Sequence, residues 1–402
     1  MKIALLTETW HPYTNGVTTH IAVLADGLRA LGHEVLLITA DPDLRRHQVD
    51  AQGVLRCPGI SVKRVYGYGL ASPFNWKRYG ILRDFGPDVI HIHQEFGVGT
   101  FGLLASRLLK VPLVYTLHTA YDEYLHYLAP APLIPVVRLI SRSHVKLLAS
   151  AAAMTTGPSE KAAAYLNARK VTTPFVLVPN SVDLERFQPA GSPPHLRTAL
   201  RRQLGIDEKT TLAIFVGRLG REKGLDHLLE AWHQQVSSEP NLHLLIVGDG
   251  PDGNTLKALA REKHLPVTFA GKVPHEAMPQ YYGAADLFVT ASTTEMMSIA
   301  LLEAQATGLP VLQRFDPWNR QQVTDGVNGF VYEDAATLAR HLHYFHRLSA
   351  TQWQAWRLRC RLHVAQQDKT HLAETLLNIY RQAMTRSSCC SAAALASTDA
   401  EG

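Results

Sequence analysis

The chain has 402 residues, 46% of them apolar and 19% charged, enough to bury the cores of two ordinary domains. No apolar run reaches the roughly 18 residues of a membrane span, and Met1–Glu8 reads as a first strand rather than a signal peptide. The net charge of +5 lies wholly in residues 1–190, with 19 Lys and Arg against 14 Asp and Glu there and 21 of each in the remainder. That bias suits an anionic membrane surface and is too weak and scattered for nucleic acid. Cys57, Cys360, Cys389 and Cys390 have neither disulfide nor metal spacing, which fits a reducing cytoplasm.

Along the chain, Ile3–Thr7 predicts a buried parallel strand. It runs into His11-Pro-Tyr-Thr-Asn15-Gly16-Val17, where Gly16 ahead of a helix over His20–Leu31 would let backbone approach a phosphate or sugar, or simply make a tight turn. Val35–Thr39, Val89–His93 and Leu113–His118 predict further strands, and His118 stands at a strand's carboxyl end, where ligands of parallel sheets bind. Phe74-Asn-Trp76-Lys77-Arg78-Tyr79 adds aromatic and basic groups. In Leu133–Leu148, Arg138, Arg142 and Lys146 recur every four residues beside an apolar side. This is the pattern of a helix lying in an anionic interface, or of a core helix with a basic solvated side.

Gln188–His195, rich in Pro and Gly, predicts a linker. Beyond it the alternation repeats, with strands at Leu212–Val216, Leu242–Val247, Val267–Ala270 and Leu287–Thr290 and helices at about 224–235 and 255–263. The expected division is 1–190, 191–370, a helix within 371–386 with no place in the second sheet and free to cross back to the first domain, and a disordered tail over 387–402. Two parallel α/β sheets covered on both faces follow, with ligands in a cleft between them.

The second half carries the charged chemistry. Gly217-Arg218-Leu-Gly-Arg-Glu-Lys223-Gly224 follows a strand, and Arg218 offers a fork that matches a diphosphate while Lys223 adds a point charge. Gly248-Asp-Gly250 follows the next strand. After Leu287–Thr290, a loop from Ala291 to Glu295 enters a helix expected over Met297–Thr307 and stopped by Gly308. Its first N–H groups and dipole would face a diphosphate, with Glu295 beside the transferred group and Glu303 reaching ligand hydroxyls.

These motifs, with Val247-Gly-Asp-Gly-Pro251, Glu303-Ala…Gly308-Leu-Pro-Val311, Asp325-Gly-Val-Asn-Gly-Phe330, Asn15-Gly-Val17 and Val178-Pro-Asn-Ser-Val-Asp183…Phe187, resemble the retaining glycosyltransferases of family 4 over nearly the whole chain to about residue 385. The resemblance implies a GT-B fold of two Rossmann-like doubly wound domains facing a cleft. It implies that Arg218 and Lys223 bind the donor diphosphate and that Glu303 holds the ribose. Glu295, with the backbone of Met297, Ser298 and Ile299, would hold the sugar, His118 would meet its hydroxyls, and Gly16 would close over it. Glu295, His118, Arg218 and Lys223 are thus the catalytic set. No cofactor is required, and a divalent metal would at most stimulate, since no Asp-x-Asp lies in a suitable loop. Ser298 stands where the family usually has glycine.

The segment Tyr115–Tyr127 is similar to the corresponding loop of bacterial diacylglycerol glucosyltransferases. That implies transfer of glucose from UDP-glucose to diacylglycerol by a cytoplasmic, peripherally membrane-associated enzyme, with Arg138, Arg142, Lys146, Trp76, Lys77 and Arg78 as membrane contacts. The same residues also suit a transferase with a soluble sugar or protein acceptor or another donor, and a non-catalytic nucleotide-sugar-binding subunit.

Overall fold

The computed structural model describes residues 1–402 apart from 14, 63–67, 121, 123–129, 189–193, 237–240, 319–321 and 399–402. The chain forms two compact units, Met1–Asn180 with Lys369–Gly402, and Ser181–Asp368. The division falls before the expected linker over 188–195, most of which lies outside the described residues.

Unit one is built on strands β1 (Lys2–Thr7), β2 (Glu34–Asp41), β3 (Gln48–Val49), β4 (Val54–Val62), β5 (Tyr68–Ala71), β6 (Val89–Ile92), β7 (Leu113–Thr116), β8 (Met154–Gly157) and β9 (Phe175–Leu177). Their order is β3-β4-β2-β1-β6-β7-β8-β9, with β5 added on β4. The pairs β3–β4 and β4–β5 are antiparallel, and the central strands are parallel, with Ile3 opposite Val35 and Val89. The central strands are runs of Val, Ile and Leu because helices cover both faces. Helix Gly16–Ala30 starts at the Asn15 cap, whose side chain accepts from the Thr18 N–H. It buries Ile21, Leu24 and Leu28 with Leu372, Leu376 and Tyr380 of the last helix, Lys369–Thr398. That helix is longer than the one expected within 371–386 and continues into residues expected as a tail.

Unit two has β10 (Thr211–Val216), β11 (Leu242–Val247), β12 (Val267–Gly271), β13 (Leu287–Thr290), β14 (Val311–Arg314) and β15 (Gly329–Tyr332), in the order β12-β11-β10-β13-β14-β15 and parallel throughout. One core cluster centres on Trp232 and Trp356, and another on Phe288, Leu301 and Val311. This is the doubly wound architecture, so loops after β10, β11 and β13 emerge side by side at the strands' carboxyl ends.

Candidate active site

In unit two, glycines bring those three loops together. Gly248 has φ +136°, and a Cβ there would lie 1.8 Å from the Gly217 carbonyl oxygen, so only glycine lets the loops after β10 and β11 meet. Gly224 (φ +61°) presses in the same way on Ala291, where a Cβ would lie 2.9 Å from the carbonyl oxygen. The hydroxyl of Thr294 donates to the Glu222 carbonyl at 3.1 Å, tying the loop after β13 to the loop after β10.

The expected charged groups do converge here. Lys223 and Glu295 form a direct ion pair, and both side chains are mostly withdrawn from solvent. Arg218 lies 3.6 Å from buried Glu222. Burial lowers the Arg218 pKa, and Glu222 and Asp252 oppose that shift.

Glu303 is only 5% exposed. One carboxylate oxygen takes a bond from His275 Nε2 and the other from the Tyr282 hydroxyl, each at 2.9 Å. Arg186 Nη1 lies 2.9 Å from His275 Nδ1. A guanidinium can only donate, so His275 accepts at Nδ1 and donates its Nε2 proton to Glu303. Burial and the Glu303 charge keep the Tyr282 hydroxyl protonated. The sequence reading missed this framework of Arg186, His275 and Tyr282, because nothing in the spacing of 186, 275 and 282 relates them to 303.

The helix expected from Met297 begins at Ile299, with Ser298 as its N-cap. The Ser298 hydroxyl accepts from the Leu301 N–H, its N–H donates to Gln322 Oε1 at 2.9 Å, and its carbonyl accepts from Gln322 Nε2 at 3.0 Å. The hydroxyl thus serves its own helix, and serine suits a cap at least as well as glycine. Gln322 is held in turn, since its carbonyl accepts from the side chains of Asn328 and Gln305. Asn328 also accepts from the Thr324 N–H at 2.7 Å. The Asp325–Phe330 motif is therefore a brace for the start of helix Ile299–Thr307.

In unit one, β6 and β7 end before His93 and His118, leaving both imidazoles just past the strands' carboxyl ends. His93 Nδ1 and His118 Nε2 are 2.9 Å apart, and the His20 ring meets His118 edge-on from helix Gly16–Ala30, of which Gly16 is the first residue. Deeper in, His91 bonds the Tyr380 hydroxyl at 2.8 Å and Thr116 at 2.6 Å. Burial depresses every one of these imidazoles, His20 to about 4, His91 to about 3, and His93 and His118 well below the usual range, so all four are neutral near pH 7. The signal available in sequence was two adjacent predicted strands that each end on histidine.

One basic membrane candidate, Arg78, is corrected. Arg78 is buried, its guanidinium 4.1 Å from the centre of the Phe101 ring and donating to the Ser72 carbonyl, so it makes no surface contact. In helix Ile134–Ala151, Arg142 holds both oxygens of Asp122 at 3.1 Å and Arg138 lies 3.9 Å from it, whereas Lys146 is exposed. The helix instead exposes an apolar face of Val136, Leu139, Ile140 and Leu147, with Leu139 at 67% and Ile140 at 61%. Trp76 and Lys77 are exposed as expected.

Such loops on a doubly wound GT-B scaffold define a glycosyltransferase. Glycosyltransferase Family 4 matches residues 14–186, and Glycosyl transferases group 1 matches residues 197–352. The chain belongs to this glycosyltransferase family. It is 33% identical over 352 residues to the alpha-monoglucosyldiacylglycerol synthase of Acholeplasma laidlawii, covering 85% of this chain and 87% of that one. It is 30% identical to the Streptococcus pneumoniae synthase of the same name, over 84% of this chain and 77% of that one. The structure of Anabaena HepE in complex with UDP and glucose superposes with a TM-score of 0.73 at 20% identity, covering 94% of this chain and 99% of that one.

Proposed function

We propose that the enzyme moves glucose from UDP-glucose to diacylglycerol at an anionic membrane face, with retention at the anomeric carbon. The observation that carries this reading is the likeness, over most of both chains, to two alpha-monoglucosyldiacylglycerol synthases. The geometry agrees with it chemically. In unit two, Arg218 and Lys223 face the diphosphate, and Lys223 exchanges part of its pairing with Glu295 for the phosphate. Glu295 is then released toward the sugar hydroxyls. Glu303, oriented by His275 and Tyr282, has lone pairs left for the ribose hydroxyls. The backbone of Met297 and Ile299 lies toward the diphosphate, while the Ser298 N–H stays with Gln322.

As the sugar–phosphate bond breaks, charge grows on the leaving diphosphate, and the preset cations and helix N-terminus stabilise it. The diacylglycerol hydroxyl attacks the face the diphosphate leaves and passes its proton to the departing phosphate. In unit one, His118 serves the sugar hydroxyls as a neutral hydrogen-bonding group and Gly16 supplies close backbone. The apolar face of helix Ile134–Ala151, with Lys146 and Trp76, rests on the lipid.

The test is label transfer from UDP-[14C]glucose into the organic phase of vesicles holding diacylglycerol and anionic phospholipid, with GDP-mannose and soluble sugars in parallel. Organic-phase label that Glu303→Gln abolishes supports the reading. Label only in soluble products, or only from GDP-mannose, overturns it.

A further inference from the structure

The histidines of unit one do more than frame a sugar. His93 and His118 leave neighbouring strands, His20 faces them from the helix, and one ring nitrogen from each lies within 4.8 Å of the other two. His93 Nε2 and both nitrogens of His20 are out of solvent, and Asn180 is the hydrogen-bonding neighbour of His20. Buried ring nitrogens with so few partners are uncommon and costly.

We propose that His20, His93 and His118 form a three-imidazole binding site for a divalent transition-metal ion of the zinc type. Three imidazoles suit such an ion. A tetrahedral ion with metal–nitrogen bonds of about 2.0–2.1 Å sets the nitrogens roughly 3.3 Å apart. The widest pair must therefore close, and the 2.9 Å contact between His93 and His118 must open slightly. The proton shared in that contact moves to the other nitrogen of its own ring, so three nitrogen–metal bonds form and no proton is lost. The surrounding pocket is lined by Thr116, Thr156, Pro158, Val178, Asn180 and Leu376, none of them a carboxylate, so hard ions such as Mg2+ find no suitable ligands. One consequence rests on the function proposed above: an ion that holds His118 takes it from the sugar, so zinc inhibits transfer.

The test is titration of the full-length, metal-free protein with Co2+. The expected result is one Co2+ per chain with the visible bands of a low-coordinate imidazole site, displaced by Zn2+ and not by Mg2+. Binding should weaken at least about tenfold in His20→Gln and in His93→Gln. Because either variant can misfold, hyperfine-shifted imidazole resonances of the wild-type cobalt form supply a second measure, and they must come from three histidines. Absence of stoichiometric binding, a different count, or equal binding in folded variants overturns the site, since the chain has 20 histidines that could take up metal elsewhere. Transfer rates with zinc are read separately: stoichiometric binding without inhibition keeps the metal site and overturns the role given to His118.

Discussion

Unit two sets charge against charge at its strand ends, Lys223 with Glu295 and Arg218 with Glu222, whereas unit one buries neutral imidazoles and turns an apolar helix face outward. Ion pairs exchange partners readily, so a diphosphate can replace Glu295 at Lys223 without either charge being stranded. Neutral rings can both donate to and accept from hydroxyls, and under the proposed function a sugar offers those to His118. Under the proposed function, this contrast gives the donor's diphosphate to unit two and the neutral chemistry to unit one.

Acid should break the comparison most strongly. His20 and His91 have folded pKa values below that of the unfolded chain, so their contribution to stability is intact above about pH 6.5 and is lost as pH falls toward 4 and then 3. His20 alone accounts for about 3 kcal/mol by its shift. Glu8, raised to about 7 by burial, acts in the opposite sense: its contribution is present below about 4.5 and lost as pH rises through 7. One carboxyl does not offset several imidazoles, and the shifted histidines of unit two (His243, His341 and His363) are only partly buried. Hydrogen exchange at pH 5 should therefore show unit one losing protection before unit two. Simultaneous loss would contradict the contrast.

Next in size, Lys223→Ala should lower kcat/KM about 100-fold through weakened stabilisation of the leaving diphosphate. A near-normal rate would remove unit two's charges from the chemistry. Leu139→Glu with Ile140→Glu should cut sedimentation with anionic vesicles about tenfold or more while UDP-glucose hydrolysis in detergent persists. Arg142→Gln should do less, because that guanidinium is engaged by Asp122. The smallest change is expected at Ser298→Gly, a few tenths of a kcal/mol in urea unfolding. A large loss of activity there would show that the hydroxyl serves the donor and not the helix.

The central strands of both sheets were legible because apolar runs bounded by Gly and Pro leave little choice of structure. Strands β3, β4, β5, β8, β9, β14 and β15 were missed: β3 and β9 are too short to carry a period, and Pro58 and Gly59 interrupt the nine residues of β4. The charged half of the site could be read because Arg218, Lys223, Glu295 and Glu303 sit in local motifs. Its supports, His275, Tyr282 and Gln322, come from segments that only the packing of helices joins. The imidazole cluster needed the adjacency of β6 and β7 and the orientation of a helix that starts far earlier in the chain. Arg78 was misread because a basic residue among aromatics resembles a membrane edge until Phe101 is seen to cover it.

Residues 181–368 are inserted in unit one, whose first helix is covered by the helix that begins at Lys369. During synthesis, Ile21, Leu24 and Leu28 therefore leave the ribosome long before Leu372, Leu376 and Tyr380 exist to cover them. Unit two can fold as soon as its own sequence has emerged, but the unit synthesised first is the last to be completed. A ribosome stalled anywhere before Lys369 would hold a nascent chain with that helix face bare, a surface for chaperones to occupy in the interval.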